Sequence, residues 1–322
     1  MTPQINNKIN RSIKRYWLGS NRRWGKYNES LVDRIEYLVD RIEYLADRIE
    51  YLADLSFIKD NDRLLEEKNN GKIGHPYKVP DALIIYLARL RSIFSIPFRS
   101  LEGVLRSLAI IANIKSISYS EIFRRIRRIK PDLNSNINSK LDCIIDSTGS
   151  KITIRGDYLR HKWHKKRRGW IKLHVIISLK DVNVLSFTIT DEHTHDSKAA
   201  RKLLSKMKNN ILRIFGDRGY DSKYIYNMFG YNAVIPPRKN ASTKSRGSST
   251  RAKIVRFIKK NSMEQWKENN SYGKRWIVEI YFSGLKRVMS EVIKAKKIEC
   301  IIQELALRVV NYNIMRGMTH AY

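Results

Sequence analysis

The order of apolar runs after residue 139 constrains the fold of this chain more than any other feature. The runs are, in order, LDCIID, WIKLHVIISL, VLSFTIT, SKAARKLLSKMKN, ILRIFGD, KYIYNMF and NAVIPP. Short runs rich in β-branched and aromatic residues predict strands, and apolar residues three and four apart predict helices. The resulting order β-β-β-α-β-α-β predicts an α/β domain at 139–322, built as a mixed five-stranded sheet flanked by helices. A basic, Ser-rich insertion interrupts it at about 238–262.

Three helices are predicted ahead of this domain, within a region that we assign to residues 69–135. Their sequences are DALIIYLARLRSIF, RSLEGVLRSLAIIA and SYSEIFRRIRRIK, each bounded by a proline. If the apolar residues of the third helix face inward, its cations form a basic face that can contact DNA. The cations proposed for that contact are Arg124, Arg125 and Arg128. The alternative is a solvated face on a scaffold helix.

The first 68 residues differ from the rest in charge and pattern. Residues 1–28 mix Arg and Lys with Trp and Tyr, which suits a basic arm that contacts phosphates and stacks on bases, although a flexible tail is the plainer reading. Residues 29–68 contain nearly identical repeats of seven, with Ile and Leu at the a and d positions, and predict a long helix. Apolar residues at the e positions widen the stripe, so self-association and packing within a bundle both stay open.

The charge of the chain indicates a polyanionic partner. Lys and Arg number 63 against 31 Asp and Glu, for a formal net charge of +32. No apolar run reaches the roughly 20 residues of a membrane-spanning helix, and the N-terminus lacks the apolar segment of a signal peptide. The two cysteines are too few for a disulfide framework. We therefore expect a cytoplasmic protein that binds nucleic acid and no membrane.

Two aspartates follow predicted strands at the point where each strand ends. Asp146 follows the run 141–145, and Asp217 follows the run 211–215 and one glycine. In an α/β sheet the carboxyl ends of strands border the crevice where ligands bind, so these carboxylates are expected to converge. Because two close carboxylates repel each other, a divalent cation is expected between them, and Mg²⁺ prefers such oxygen ligands.

A third acid, Glu279, is expected to complete the site. It lies in a segment where Tyr272, Arg275, Glu279 and Lys286 are spaced 3, 4 and 7 residues apart, which places them on one stripe if the segment is α-helical. Two cations and one anion on a single stripe suit a site that holds a metal and grips phosphates. An ordinary solvated helix face with an ion pair is the alternative reading.

The sequence resembles insertion-sequence transposases of the DDE type, in the insertion-sequence-five group. The matched stretches are DSTGSKI, KLH, HDS, GDRGYDS, IPPRKNA and the segment from Tyr272 to Lys286. Upstream, IPFRSLEGVLRSL resembles the helical N-terminal region of the same group, so the likeness runs from about residue 80 to the C-terminus. The resemblance implies a ribonuclease-H-like catalytic domain with a Tyr-Arg-Glu-Lys signature, preceded by a helical DNA-binding region.

The resemblance also implies an activity. Asp146, Asp217 and Glu279 become the catalytic triad and the ligands of two Mg²⁺ ions, with Mn²⁺ as a substitute. The residues implied to contact the DNA ends of the element are Tyr272, Arg275 and Lys286. The enzyme would cut at the ends of an insertion sequence and join them to double-stranded target DNA, as a homodimer in the DNA complex, within a prokaryotic nucleoid.

Other residues suggest competing sites. Five of the seven histidines lie between 161 and 195, which invites a zinc hypothesis. A hairpin tip that contacts DNA is the plainer account of the cations there, which include Lys165, Lys166 and Arg167. Asp221 is expected to cap the helix that follows it, and Asp142 to lie deeper on its strand than Asp146. The sequence is also compatible with two other functions, those of a non-catalytic basic DNA-binding protein and of a nuclease of the same fold.

Overall fold

The computed structural model describes residues 55–112, 114–133, 137, 139–152, 170–191, 193–295 and 297–318. All of them except Leu55 belong to one unit that begins at Ser56. The basic arm and most of the heptad-repeat segment lie outside the described residues, as do the proposed hairpin-tip cations Lys165, Lys166 and Arg167.

The N-terminal part of this unit is helical. Its elements are α1 (Asn61–Asn69), α2 (Asp81–Phe94), α3 (Phe98–Ala112) and α4 (Tyr119–Arg128). The three helices predicted between residues 80 and 130 are thus present. Ser118 begins α4 by accepting a hydrogen bond from the backbone N–H of Glu121, as expected of an N-cap serine. The helix α2 packs against the last helix of the chain, which joins the helical region to the sheet domain.

A mixed sheet forms the centre of the remaining chain. Its strands are β1 (Leu141–Ile152), β2 (Trp170–Ser178), β3 (Val184–Asp191), β4 (Ile211–Phe215), β5 (Ala233–Val234) and β6 (Val292–Ile293). The order is β3-β2-β1-β4-β5, with β6 added beside the far end of β1. The first three strands are antiparallel neighbours, whereas β4 and β6 run parallel to β1 and β5 parallel to β4. The predicted five strands are confirmed, and the two-residue β6 is an addition.

Helices cover the sheet and complete its core. They are α5 (Asp196–Met207), α6 (Lys223–Phe229), α7 (Ser249–Lys260), α8 (Met263–Asn269), α9 (Ile277–Met289) and α10 (Ile298–Met318). The apolar residues of β1, β2 and β4 pack with those of α5, α9 and α10 in one buried cluster. This arrangement is the mixed α/β sheet flanked by helices that the order of runs predicted, and it is consistent with the ribonuclease-H-like fold that the resemblance implies. Part of the predicted basic insertion folds as α7, whose Ile254 and Val255 are buried.

A glycine sets the distance between α9 and α10. A Cβ added at Gly284 would lie only 1.9 Å from the Tyr312 hydroxyl oxygen, so α9 approaches α10 more closely than any other residue type would permit. Because α9 carries Glu279, this contact also sets how far the third predicted acid stands from the sheet. Within the described part of the chain, no helix combines the length and apolar character needed to cross a lipid bilayer.

Candidate active site

Asp146 lies within β1 and not at its end. The sequence predicted that the strand stops at Asp146, but it continues to Ile152 because β2 pairs with it along its whole second half. On the other side of β1, the pairing with parallel β4 stops at Ile144 opposite Phe215. Asp146 therefore lies just beyond the carboxyl end of the parallel pairing between β1 and β4. This is the crevice position expected for a ligand-binding residue in an α/β sheet.

Asp217 follows β4 as predicted, and a tight turn fixes its carboxylate. Its Oδ1 accepts a hydrogen bond of 2.8 Å from the backbone N–H of Gly219, at the start of a short 3-10 helix. A Cβ on Gly219 would lie 3.0 Å from Asp217 Oδ1 and 3.3 Å from Asp196 Oδ2. Glycine is thus needed here because two carboxylates close over the backbone of this turn.

The structure brings Asp146 and Asp217 together. The side chain of Asp146 is only 15% exposed. Burial raises the pKa of Asp146 to about 6, and the nearby Asp217 carboxylate acts in the same direction. The Ser147 N–H, which donates to Asp146 Oδ1 at 2.8 Å, and the Arg275 guanidinium oppose this rise. A buried carboxylate beside a second one gains from a cation, so this pair has the electrostatics of a metal ligand set.

Arg275 connects Asp146 to Glu279. Its Nη1–H donates to Asp146 Oδ2 at 2.8 Å, and its Nη2–H donates to Glu279 Oε1 at 2.9 Å. Glu279 is 65% exposed, so it faces solvent at the rim of the crevice. The Arg275 guanidinium therefore lies between the strand acid and the helix acid and pairs with both, so its single positive charge is shared by two carboxylates.

The predicted single α-helical stripe is wrong in its first half. Tyr272 to Trp276 form a 3-10 helix, and the α-helix α9 begins only at Ile277. The segment starts at Ser271 with a positive φ of 52°, which turns the chain sharply before the helix. Glu279 and Lys286 share α9, whereas Tyr272 and Arg275 approach the sheet from the tighter turn.

Tyr272 positions the loop that carries Asp217. Its hydroxyl donates a hydrogen bond of 3.1 Å to the carbonyl oxygen of Gly216, the residue before Asp217. Its ring packs at a tilt against Trp266, with 5.8 Å between centroids. Burial raises the pKa of Tyr272, which keeps the hydroxyl protonated and able to donate.

Lys286 lies away from the carboxylates, at the other end of α9. Its Nζ is 3.8 Å from Glu291 Oε1, and its side chain is one-third exposed. It contacts neither Asp146 nor Glu279 among the hydrogen bonds and ion pairs of the described residues. The four residues of the expected signature thus form two groups, one around Arg275 and one around Lys286.

Sequence reasoning missed a supporting acid, Asp196, at the start of α5. Its Oδ1 accepts a hydrogen bond of 3.2 Å from the Ser147 hydroxyl and lies 3.5 Å from Lys172 Nζ. Lys172 also donates to the carbonyl oxygen of Thr194 at 3.2 Å. Lys172 lies in the matched stretch KLH and Asp196 in the matched stretch HDS, so the sequence already indicated that both stretches matter. Their contact depends on the packing of α5 against β2, which no local pattern reveals.

Arg125 is not part of the exposed basic face expected on α4. It is 7% exposed and forms an ion pair of 2.6 Å with Asp81. It also donates to the carbonyl oxygen of Val79 at 2.7 Å, so its charge and donors serve to fix α4 against α2. Arg124 and Arg128 are exposed, as expected, and Arg124 pairs with Glu121 on the same helix.

The other acids flagged in the sequence are in ion pairs of their own. Asp221 does not cap α6, because Ser222 holds the N-cap position and Asp221 instead binds the Arg251 guanidinium. Asp142 pairs with Arg213 on the neighbouring strand. Neither acid joins Asp146 and Asp217.

The residues present fit a hard divalent cation in part. Asp146 and Asp217 supply carboxylate oxygens, the ligands that Mg²⁺ prefers. Among the described residues, no three His, Cys, Asp or Glu side chains lie close enough together to hold a metal ion. This holds for the three predicted acids and for a zinc site at His193 and His195. Glu279 Oε1 accepts the hydrogen bond from Arg275, so this oxygen can bind a metal ion fully only once that bond is broken. The proposed histidines 161 and 164 lie outside the described residues.

Two sequence models of protein families match this chain, and both are described as a transposase DDE domain. One matches residues 138–314, and the other matches residues 53–155. The first match covers more than half of the chain and contains β1, β4 and α9, the three elements that carry Asp146, Asp217 and Glu279. The chain therefore belongs to the transposases that carry a DDE domain.

Proposed function

We propose that this transposase cuts DNA at the ends of an insertion sequence and joins those ends to target DNA, with Asp146, Asp217 and Glu279 as the ligands of two divalent ions. The observation that carries the proposal is the meeting of a buried aspartate on β1 with a second one after β4, at the carboxyl end of their parallel pairing. Glu279 is linked to this pair through Arg275.

The chemistry that two bound Mg²⁺ ions supply, or Mn²⁺ in their place, is charge stabilisation of the attacking and leaving oxygens in phosphoryl transfer. The chain prepares for this by holding Asp146 where its carboxyl has a raised pKa and gains from a positive charge. Arg275 supplies positive charge beside both acids and, once either is released, has N–H groups free for a phosphate oxygen. Tyr272 holds the backbone before Asp217 in place.

We also propose which surfaces bind double-stranded DNA. Arg124 and Arg128 are exposed on α4 and suit contacts with backbone phosphates. The cations Lys165, Lys166 and Arg167 and the basic arm at 1–28 would add further contacts. A homodimer in the DNA complex and membership of the insertion-sequence-five group complete the proposal.

The test is a gel assay on DNA that contains the inverted repeats flanking the gene. Wild-type protein with Mg²⁺ or Mn²⁺ should give both cleaved ends and joined products. Asp217→Asn and Glu279→Gln should abolish both products while DNA binding persists, because phosphate contacts supply most of the affinity. A matched control is Glu67→Gln, which removes an exposed charge from α1 and should leave both products unchanged.

The same gel distinguishes the rival functions. A non-catalytic DNA-binding protein would give no product with any variant, and a nuclease would give cleaved ends without joined DNA. Full activity of either carboxylate variant would overturn the assignment of the ligands.

A further inference from the structure

Three charged side chains from separate elements meet at the far end of α9. Lys151 comes from β1, Lys286 from α9 and Glu291 from the turn after α9. The Glu291 carboxylate lies between the two lysines, with Oε2 at 3.7 Å from Lys151 Nζ and Oε1 at 3.8 Å from Lys286 Nζ. One carboxylate thus faces two ammonium groups, and the cluster keeps a net positive charge.

The turn that presents Glu291 is held firmly. Ser290 has a positive φ of 69°, an unfavourable conformation for a residue with a side chain. The buried Arg308 guanidinium donates to the carbonyl oxygens of Ser290 and Val292, at 2.8 and 2.9 Å. Pairing of β6 with β1 places Val292 opposite Lys151. Glu291 therefore stands between the lysines because the backbone puts it there, and not through a chance side-chain conformation.

The two ion pairs are weak enough to be exchanged. The three side chains are 45%, 33% and 36% exposed for Lys151, Lys286 and Glu291, and such solvent-screened pairs stabilise a protein little. A phosphodiester also carries one negative charge on two oxygens, so it matches the Glu291 carboxylate in charge and in number of acceptors. A DNA strand also makes contacts with the protein through its other phosphates. These contacts favour the phosphate over the Glu291 carboxylate as the partner of the two lysines.

An aromatic ring lies beside this cluster. Lys151 Nζ is 5.6 Å from the centroid of the Trp170 ring, and the ring covers Gly149, where a Cβ would approach it to 3.0 Å. Trp170 is half-buried at the edge of β2. A lysine next to an indole face is the combination that binds a nucleotide through its phosphate and its sugar or base.

The resemblance already implies that Lys286 contacts DNA; we infer that Lys151 joins it in binding one backbone phosphate, and that Glu291 occupies this two-lysine site until DNA displaces it. The inference rests on the proposed function for the identity of the polyanion as DNA. Lys286 follows Glu279 by seven residues on α9, which is about 10 Å along the helix axis. The phosphate held by the lysines is therefore a different one from the phosphate at the carboxylates.

Glu291→Gln tests the inference through DNA affinity. Fluorescence anisotropy without a divalent ion, on a duplex containing the inverted repeat, measures binding with no cleavage. We expect Glu291→Gln to bind about fivefold more tightly, because both lysines lose their competitor. Glu67→Gln changes the net charge equally at an exposed ion pair on α1 and should give less than a twofold change.

A second substitution identifies the lysine. The gain from Glu291→Gln, measured against Lys151→Met alone, should be smaller than the gain measured in the wild type, because only Lys286 then loses its competitor. In a Lys151→Arg background the full gain should return, since an arginine keeps the charge. Equal gains for Glu291→Gln and Glu67→Gln would overturn the inference. So would a gain that is undiminished in the Lys151→Met background.

Neutral phosphates locate the site on the DNA. Duplexes with a single methylphosphonate at successive positions should lose the Glu291→Gln gain at one position, which differs from the cleaved bond. A gain that persists at every position would contradict a single-phosphate site. These outcomes are separate from the catalytic proposal, because the binding experiment needs no cleavage and both lysines are intact in the Asp217→Asn variant used for the cleavage assay.

Discussion

Two aspartate–arginine pairs of this transposase differ in how completely the aspartate is satisfied. Asp221 is fully buried, and both of its oxygens accept Arg251 hydrogen bonds of 2.6 Å, with the Arg238 N–H as a further donor. Asp146 accepts one N–H from Arg275 and one from Ser147, and Arg275 divides its donors between Asp146 and Glu279. Burial raises the pKa of Asp146 to about 6.

We attribute a structural role to the Asp221–Arg251 pair and the proposed metal-binding role to Asp146 beside Arg275. A buried carboxylate with all its acceptors used contributes to the fold and has nothing left for a ligand. A buried carboxylate with a raised pKa and a shared partner is held in an unfavourable ionised state, which a bound cation relieves. We therefore expect substitution of Asp221 to lower stability and substitution of Asp146 to lower the rate of DNA cleavage.

Asp221→Asn should have the largest effect, and the effect should be on stability. It leaves the Arg251 guanidinium partly buried without its bidentate partner, and breaking such a buried pair costs about 3–5 kcal/mol. Chemical denaturation followed by circular dichroism measures this loss in the unfolding free energy. A loss equal to that of the exposed control Glu67→Gln would show that the Asp221–Arg251 pair does not act as a structural pair.

Asp146→Asn should reverse the pattern. DNA cleavage should fall by at least about a hundredfold, since the ions that a carboxylate ligand holds supply several kcal/mol of transition-state stabilisation. Folding should persist, because the amide removes a charge whose burial is unfavourable. Cleavage rates and denaturation midpoints on the same preparation give both quantities. Retained cleavage together with a large loss of stability would make Asp146 a structural residue.

Gly219→Ala should affect activity more than stability. The added Cβ would stand 3.0 Å from Asp217 Oδ1 and would push that carboxylate aside by a few tenths of an ångström. A misplacement of about 1 Å can cost about a hundredfold in rate, so we expect this smaller shift of a proposed metal ligand to cost about tenfold. Gly103→Ala in α3, where a Cβ meets no atom within 4 Å, is the matched control and should leave the cleavage rate unchanged. Equal rates for the two variants would argue against a role for the turn.

Metal affinity should depend on pH through Asp146, which is the smallest effect. A divalent ion binds the ionised carboxylate, and its raised pKa of about 6 means that this form is lost as the pH falls through that value. Between pH 7 and pH 5 the ionised fraction falls about tenfold, and the affinity for Mn²⁺ should fall with it. Titration calorimetry at constant ionic strength measures the change. An affinity that is flat over this range would exclude Asp146 as the titrating ligand.

The convergence of Asp146 and Asp217 could be predicted from the sequence, because it depends on the order of the strands. Asp146 and Asp217 were identified because each follows an apolar run, and parallel neighbours bring such positions together. The length of β1 was not predictable, since the polar residues after Asp146 continue the strand only through pairing with β2. The split between the 3-10 helix at Tyr272 and α9 depends on tertiary contacts with Gly216.

The burial of Arg125 could have been predicted from its position on the helix. Positions 122, 125, 126 and 129 have the spacing of one helix face, and Arg125 falls on it between Ile122 and Ile126. An arginine on an apolar face needs a partner, but that partner, Asp81, is 44 residues away along the chain. Local spacing can therefore show that Arg125 points inward, while its ion pair requires the fold.

The central claim is that Asp146, Asp217 and Glu279 hold the same ions, and Fe²⁺-directed cleavage of the protein tests it most directly. Fe²⁺ in place of Mg²⁺, with ascorbate and hydrogen peroxide, generates radicals that cut the peptide chain beside the bound ion. In the DNA complex we predict cuts near residues 146, 217 and 279, which excess Mg²⁺ and the Asp146→Asn substitution both suppress. Cuts confined to other segments, or cuts near 146 and 217 without any near 279, would contradict the three-carboxylate site.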